Sequence, residues 1–174
     1  VGAWHVRIVL PCDFNARYDA VERALVPGRR AMVVTDAVFS VDGELAPLVE
    51  LHAVVRRAGA LLLVDEAHAL GVLGPHGGGA CAAAGLAGEP DVVLTATLSK
   101  SLGSQGGVVL GPAPVRGHLI DTARPFVFDT GLAPASCAAA LAALGLVDRR
   151  LGIAPLGDDD AADRQVVFRR KFKI

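Results

Sequence analysis

At 174 residues, with 52% hydrophobic and 20% charged side chains, the chain has the material for one domain with a true core and does not read as disordered. Its net charge of -1 argues against a nucleic-acid binder that relies on a general basic field. No run of about 18 apolar residues is present, and residues 1–10 lack the charged, apolar and small-residue pattern of a secretory leader, so neither a membrane span nor export is expected.

Residues 1–25 contain an apolar start and a predicted helix over 18–25. The first residue is Val rather than Met, and the expectation is a chain that begins inside a longer protein. Residues 30–35 form an apolar run ending at Asp36 and read as a strand. Residues 45–57 place Leu48, Leu51, Val54 and Val55 on one helical face. Residues 60–64 are continuously apolar and end at Asp65, as in a strand buried on both faces. A glycine-rich segment, 71–79, reads as a flexible loop. Strands are predicted over 91–97, 107–110 and 126–128, and helices over 115–123 and 133–147. After Val147 the pattern fades; Asp158, Asp159 and Asp160 read as part of a solvated tail, and residues 168–174 are weakly amphipathic. The alternation predicts an α/β fold with a mainly parallel sheet. The expected organisation is a poorly matched segment over 1–29, a core over 30–147 and a divergent tail over 148–174.

The three cysteines, Cys12, Cys81 and Cys137, show neither a CxxC pair nor zinc spacing; they are expected to be small buried hydrophobes in a reducing compartment, with no metal bound.

Lysine usage is more informative. Of three lysines, Lys171 and Lys173 lie in the last four residues, which leaves Lys100 alone in the body of an arginine-biased chain. An amine can lose its proton and act as a nucleophile, and a guanidinium cannot. In parallel α/β sheets, ligands sit beyond the carboxyl ends of the strands. Ser40 follows the first predicted core strand, Asp65 ends the second with His68 three residues on, and Thr97 and Lys100 end the third. If those strands are neighbours, carboxylate, imidazole, hydroxyl and amine meet at one crevice. That set suits pyridoxal phosphate, which needs an amine for its aldehyde, an anion at its ring nitrogen, and hydroxyls and backbone N–H groups for its phosphate. Each residue also has an ordinary reading: Asp65 as a helix N-cap, His68 as a core or loop histidine, Ser40 as a turn residue, Lys100 as a solvated side chain.

Three segments carry a resemblance. Thr35-Asp36-Ala37-Val38-Phe39-Ser40-Val41-Asp42-Gly43 resembles the TD-x-VFSMDG signature of the α-oxoamine synthases. Val64-Asp65-Glu66-Ala67-His68 resembles their VDEAHG segment, and Thr97-Leu98-Ser99-Lys100-Ser101-Leu102-Gly103 their TLSKALG cofactor-lysine segment. The resemblance covers roughly residues 30–147, within the three-layer large domain of fold type I pyridoxal-phosphate transferases. It implies decarboxylative condensation of an amino acid with an acyl-CoA by a cytoplasmic homodimer. It also implies Lys100 as the lysine bonded to the cofactor and as proton-transfer base, seated where burial helps it to lose its proton. Asp65 would face the ring nitrogen, His68 and Ser40 the ring-oxygen region, and Thr97 the phosphate; Thr130 matches a segment near the partner subunit's phosphate site. Ala69 and Gly78 stand where the family usually has Gly and Arg, and Val41 where it has Met. The family's N-terminal ring-stacking histidine and its C-terminal domain have no counterpart in this sequence, and nothing around His5 matches the former. The implied chain is incomplete, and a non-catalytic remnant or partner module, or another fold type I enzyme such as an aminotransferase, stays open. A nicotinamide-binding domain is disfavoured because no G-x-G-x-x-G follows the first predicted strand.

Overall fold

A computed structural model describes residues 6–9, 18–26, 28–41 and 43–150. Four parallel strands stand side by side in chain order: β1 (Val6–Val9), β2 (Ala31–Asp36), β3 (Leu61–Asp65) and β4 (Val92–Thr97). The fifth, β5 (Gly107–Leu110), pairs antiparallel with β4. The sheet is therefore mainly parallel, as expected. Each parallel step carries a crossover helix: α1 (Tyr18–Ala24), α2 (Leu48–Arg57) and α3 (Ala80–Ala83). Crossovers of this kind share one hand, so sequential strand order sends successive helices to the same face.

The burial pattern agrees. Val33, Leu62 and Val64 alternate into a core with Val21 and Leu25 around α1 and with Leu48, Leu51, Val54 and Val55 of α2. Cys81 of α3 joins that core. On the opposite face, Val109 lines a shallow cavity with Val115 and Leu119 of α4 (Ala113–Thr122) and Phe126 of α5 (Arg124–Val127). That third layer sits at the β5 edge; further along the same face, Met32, Val34, Leu61 and Leu63 remain half-buried. The expectation that residues 60–64 are buried on both faces is thus met on one face only among the described residues. A second cluster joins Ala96, Leu98, Leu102 and Val108 to Ala140 of α6 (Pro134–Arg150), which seats the loop after β4 on that helix.

Local chemistry accounts for the boundaries. Helix α2 starts at Leu48 rather than 45 because Pro47 keeps Ala46 out of helical geometry, while Leu45 bridges to Val38. The predicted strand over 126–128 is instead helix α5: Pro125 fills a first-turn position, where a missing N–H costs nothing, and no strand partner faces the segment among the described residues. The expectations for Cys12, for residues 158–160 and for residues 168–174 lie outside the described residues.

The amino-terminal end of β4 is tied to α2 by charge. Asp91 accepts a hydrogen bond from buried His52 at 2.8 Å and one from Arg56 Nε at 3.2 Å, and Arg56 also pairs with Glu89. His52, Glu89 and Asp91 bring potential metal-ligating atoms within 4.8 Å of one another, and the Arg56 guanidinium already pairs with both carboxylates. Burial pushes the Asp91 carboxyl up, but the His52 hydrogen bond, aided by the charges of His52 and Arg56, outweighs it and holds the carboxyl below its usual range. A carboxyl depressed in the folded state stabilises fully above about pH 4 and loses that contribution as pH falls through its folded value. Urea midpoints are therefore expected to decline as pH falls below about 4, and Asp91→Asn is expected to flatten the decline; equal slopes would contradict the assignment.

Candidate functional site at the carboxyl ends of the strands

The parallel register places Asp65 opposite Thr95, so both side chains leave the same face of the sheet, and Thr97 follows two residues on. Asp65 is half-buried and its carboxylate is fixed on two sides: Ala67 N–H donates to Oδ1 at 2.8 Å and the Thr95 hydroxyl donates to Oδ2 at 2.9 Å. Glu66 then opens a turn, its carbonyl accepting from Ala69 and Leu70 N–H groups at 3.0 and 2.9 Å. This turn carries His68 outward. The loop after β4 brings Lys100 to meet it, and the Lys100 amine donates to His68 Nε2 at 2.8 Å. Both side chains are exposed, so the burial expected of Lys100 is not found among the described residues.

Thr97 shapes the lysine loop from inside. Its hydroxyl shares a hydrogen bond with Ser99 Oγ at 2.7 Å and accepts from Ser99 N–H at 3.2 Å. The loop closes through Leu98 N–H to Gly106 O and Ser104 N–H to Leu98 O, at 2.9 and 2.8 Å, and the Ser104 hydroxyl donates to Ser136 O of α6 at 2.6 Å. Ser40 lies in an exposed turn after β2, without a hydrogen bond to this cluster among the described residues, and Thr130 is exposed beyond α5. Asp65, His68, Thr97 and Lys100 are thus gathered at one rim, while Ser40 shares the end of the sheet but not the contacts.

The glycine-rich segment 71–79 folds into defined contacts rather than an open loop. Gly71 N–H donates to Gly77 O at 2.8 Å and Gly79 N–H to Leu73 O at 2.9 Å. What holds it is Glu66, a residue quoted above only as part of a motif. Its carboxylate, 2% exposed, accepts N–H bonds from Ala80 at 2.9 Å and Cys81 at 2.7 Å. Gly79 (φ 99°) passes so close that a Cβ there would stand 2.5 Å from Glu66 Oε2. Burial first, and the adjacent Glu66 carboxylate second, push the Cys81 thiol far above its usual range. Thr95 and Glu66 are the residues that sequence reasoning missed. The signal for Thr95 was its place two positions before Thr97 on one strand face; for Glu66 it was an acidic residue within an apolar stretch.

A mainly parallel α/β unit that presents a lysine, an imidazole and an oriented carboxylate at its strand tips defines a class of candidate enzyme cores. The sequence profile of the aminotransferase class I and II family matches residues 5–151, and the chain belongs to that family. It is 66% identical over 132 residues to the 8-amino-7-oxononanoate synthase of Mycolicibacterium smegmatis, covering 75% of this chain and 35% of that protein. It is 69% identical over 128 residues to that of Mycobacterium tuberculosis, covering 72% and 33%. The chain therefore spans about a third of the length of these curated relatives. Among solved structures it resembles a serine palmitoyltransferase from S. paucimobilis with a bound PLP–myriocin aldimine (TM-score 0.69, 33% identity, 77% of this chain and 33% of that one). It also resembles the 8-amino-7-oxononanoate synthase of Francisella tularensis (TM-score 0.63, 27% identity, 86% and 40%). The α-oxoamine synthase resemblance of the three segments is upheld by these relatives.

Replacing Glu66 by Gln sets an amide NH2 against one of the two backbone N–H groups. The expected cost is about 1–3 kcal/mol of unfolding free energy in urea; an unchanged midpoint would show that the carboxylate does not hold the α3 start.

Proposed function

We propose that the chain is the cofactor-carrying core of a pyridoxal-phosphate-dependent acyltransferase that condenses L-alanine with pimeloyl-CoA, releasing CO2 and CoA, in biotin biosynthesis. The observation that carries this reading is the 2.8 Å contact of Lys100 with His68 at the rim where Asp65 is oriented. The identity to 8-amino-7-oxononanoate synthases supports the choice of substrates over those of glycine C-acetyltransferase, 5-aminolevulinate synthase or an aminotransferase.

The residues fit the cofactor by the chemistry of their donor set. Asp65 is the anion for the ring nitrogen; with Thr95 and Ala67 holding its two oxygens, little of its orientation has to be fixed on binding. His68 and Ser40 serve the ring-oxygen side, Thr97 the neighbourhood of the phosphate, and Lys100 the aldehyde. Bound pyridoxal phosphate supplies a protonated ring that draws electrons from the α-carbon of the amino acid. Lys100 Nζ takes and returns the proton at that carbon, with His68 Nε2 in hydrogen-bond reach to steady the amine.

Residues 30–147 form the cofactor-binding core in this reading, with 1–29 as an outlying part of the same domain and 148–174 as a divergent tail. The intact enzyme is a cytoplasmic homodimer; among the described residues no helix is long and apolar enough to cross a membrane. A second reading, a non-catalytic module that pairs with an intact subunit, is favoured by one observation, the exposed setting of Lys100 and His68.

Incubation with pyridoxal phosphate followed by borohydride is expected to leave a reduced adduct on the peptide containing Lys100, read by mass spectrometry. Lys100→Ala is expected to abolish it, and Asp65→Asn to weaken cofactor affinity by about tenfold or more, as loss of a charge-assisted hydrogen bond implies. Failure of the unsubstituted chain to form the adduct refutes the cofactor assignment. Adduct formation without acyl transfer from pimeloyl-CoA supports the second reading.

A further inference from the structure

The His68 turn lies in the β3–β4 crossover and the lysine loop in the β4–β5 connection, and their tips meet through flexible side chains. A four-carbon lysine stem and an exposed imidazole do not hold a 2.8 Å contact unless their backbones are held together. The residue after Lys100 makes such a link. Ser101 Oγ donates to the carbonyl of Leu70 at 2.5 Å, across 31 positions of sequence. Leu70 closes the turn that Glu66 opens, so His68 is carried between two fixed points: the Glu66 carboxylate clamped on the α3 start, and the Leu70 carbonyl held by Ser101.

The packing at this link leaves little room. Gly71, at φ 79°, follows Leu70, and a Cβ there would lie 2.6 Å from Ser101 Oγ and 2.7 Å from its Cβ. The Ser101 side chain therefore lies as close to the Gly71 backbone as a glycine allows. Leu70 and Leu102, the neighbours on either side, both pack in the cluster formed with Ala140 of α6. The Ser101 hydroxyl thus ties the two segments at the exposed edge of the apolar packing between Leu70 and Leu102.

We propose that Ser101 is a positioning residue, its hydroxyl on the Leu70 carbonyl holding the lysine loop against the His68 turn so that Lys100 and His68 stay in contact. For catalysis this rests on the reading of Lys100 as the cofactor lysine; the positioning itself is a property of the chain without cofactor. Losing one hydrogen bond of ordinary net worth corresponds to about a two- to tenfold change in the population of the aligned arrangement.

The test compares the unsubstituted full chain with Ser101→Ala and Lys100→Ala, all without cofactor, by the 15N shifts of the His68 ring. Lys100→Ala defines the ring freed of its amine partner. Ser101→Ala is expected to move the His68 shifts measurably towards that reference, with a melting temperature close to that of the unsubstituted chain. In a second arm, the rate at which borohydride traps pyridoxal phosphate on Lys100 is expected to fall by about two- to tenfold. His68 shifts in Ser101→Ala that coincide with those of the unsubstituted chain overturn the proposal. If the unsubstituted chain traps no cofactor, the acyltransferase reading falls, and the ring shifts still decide the role of Ser101.

Discussion

Parallel pairing of β3 with β4 in the register Asp65 to Thr95 is the constraint on which the site depends. A shift of one residue would turn Asp65 to the face lined by α1 and α2, where a carboxylate would be buried among Val33 and Leu51. The same shift would take away the Thr95 hydroxyl that holds one oxygen of Asp65. Register is secured by burial: Leu62 and Val64 are fully covered by the helical layer while Leu61 and Leu63 on the other face are only half-buried, which leaves Asp65 to point away from that layer. The site's geometry is thus enforced by hydrophobic burial on the side of the sheet that takes no part in the chemistry.

Two acids one residue apart do opposite work for the same reason. Asp65 and Glu66 sit where β3 becomes a turn, and alternation sends them apart. Asp65 reaches the rim, half-buried and with acceptor capacity to spare beyond the two groups that hold it. Glu66 goes inward, where a charge is costly unless it is fully bonded, and each of its oxygens meets a backbone N–H. The inward carboxylate gives the outward turn a rigid base.

Much of this was legible in the sequence because it is encoded locally. The apolar runs that became β2, β3 and β4 each end in the polar residue that the sheet delivers to the rim, and the helical face of α2 was written in Leu48, Leu51, Val54 and Val55. The lone lysine of the chain's body marked the amine. What escaped is non-local or was decided by competition. The partners of Glu66 lie 14 and 15 positions away, and those of Ser101 and His52 lie 31 and 39 away; no periodicity reports such pairs. The segment 126–128 has aromatic strand character, yet Pro125 at a helix start, with no strand partner among the described residues, decides for α5.

Cys81 shows what the clamp does to a side chain that has no share in it. A thiol reacts as its anion, and this one is shut inside the core beside a carboxylate that opposes ionisation. Peroxide and alkylating reagents find no nucleophile there, whereas half-buried Cys137 on α6 is more open to them. Between the two described cysteines, oxidation is thereby directed to the helix that backs the lysine loop, and the interior beneath the glycine-rich segment is spared.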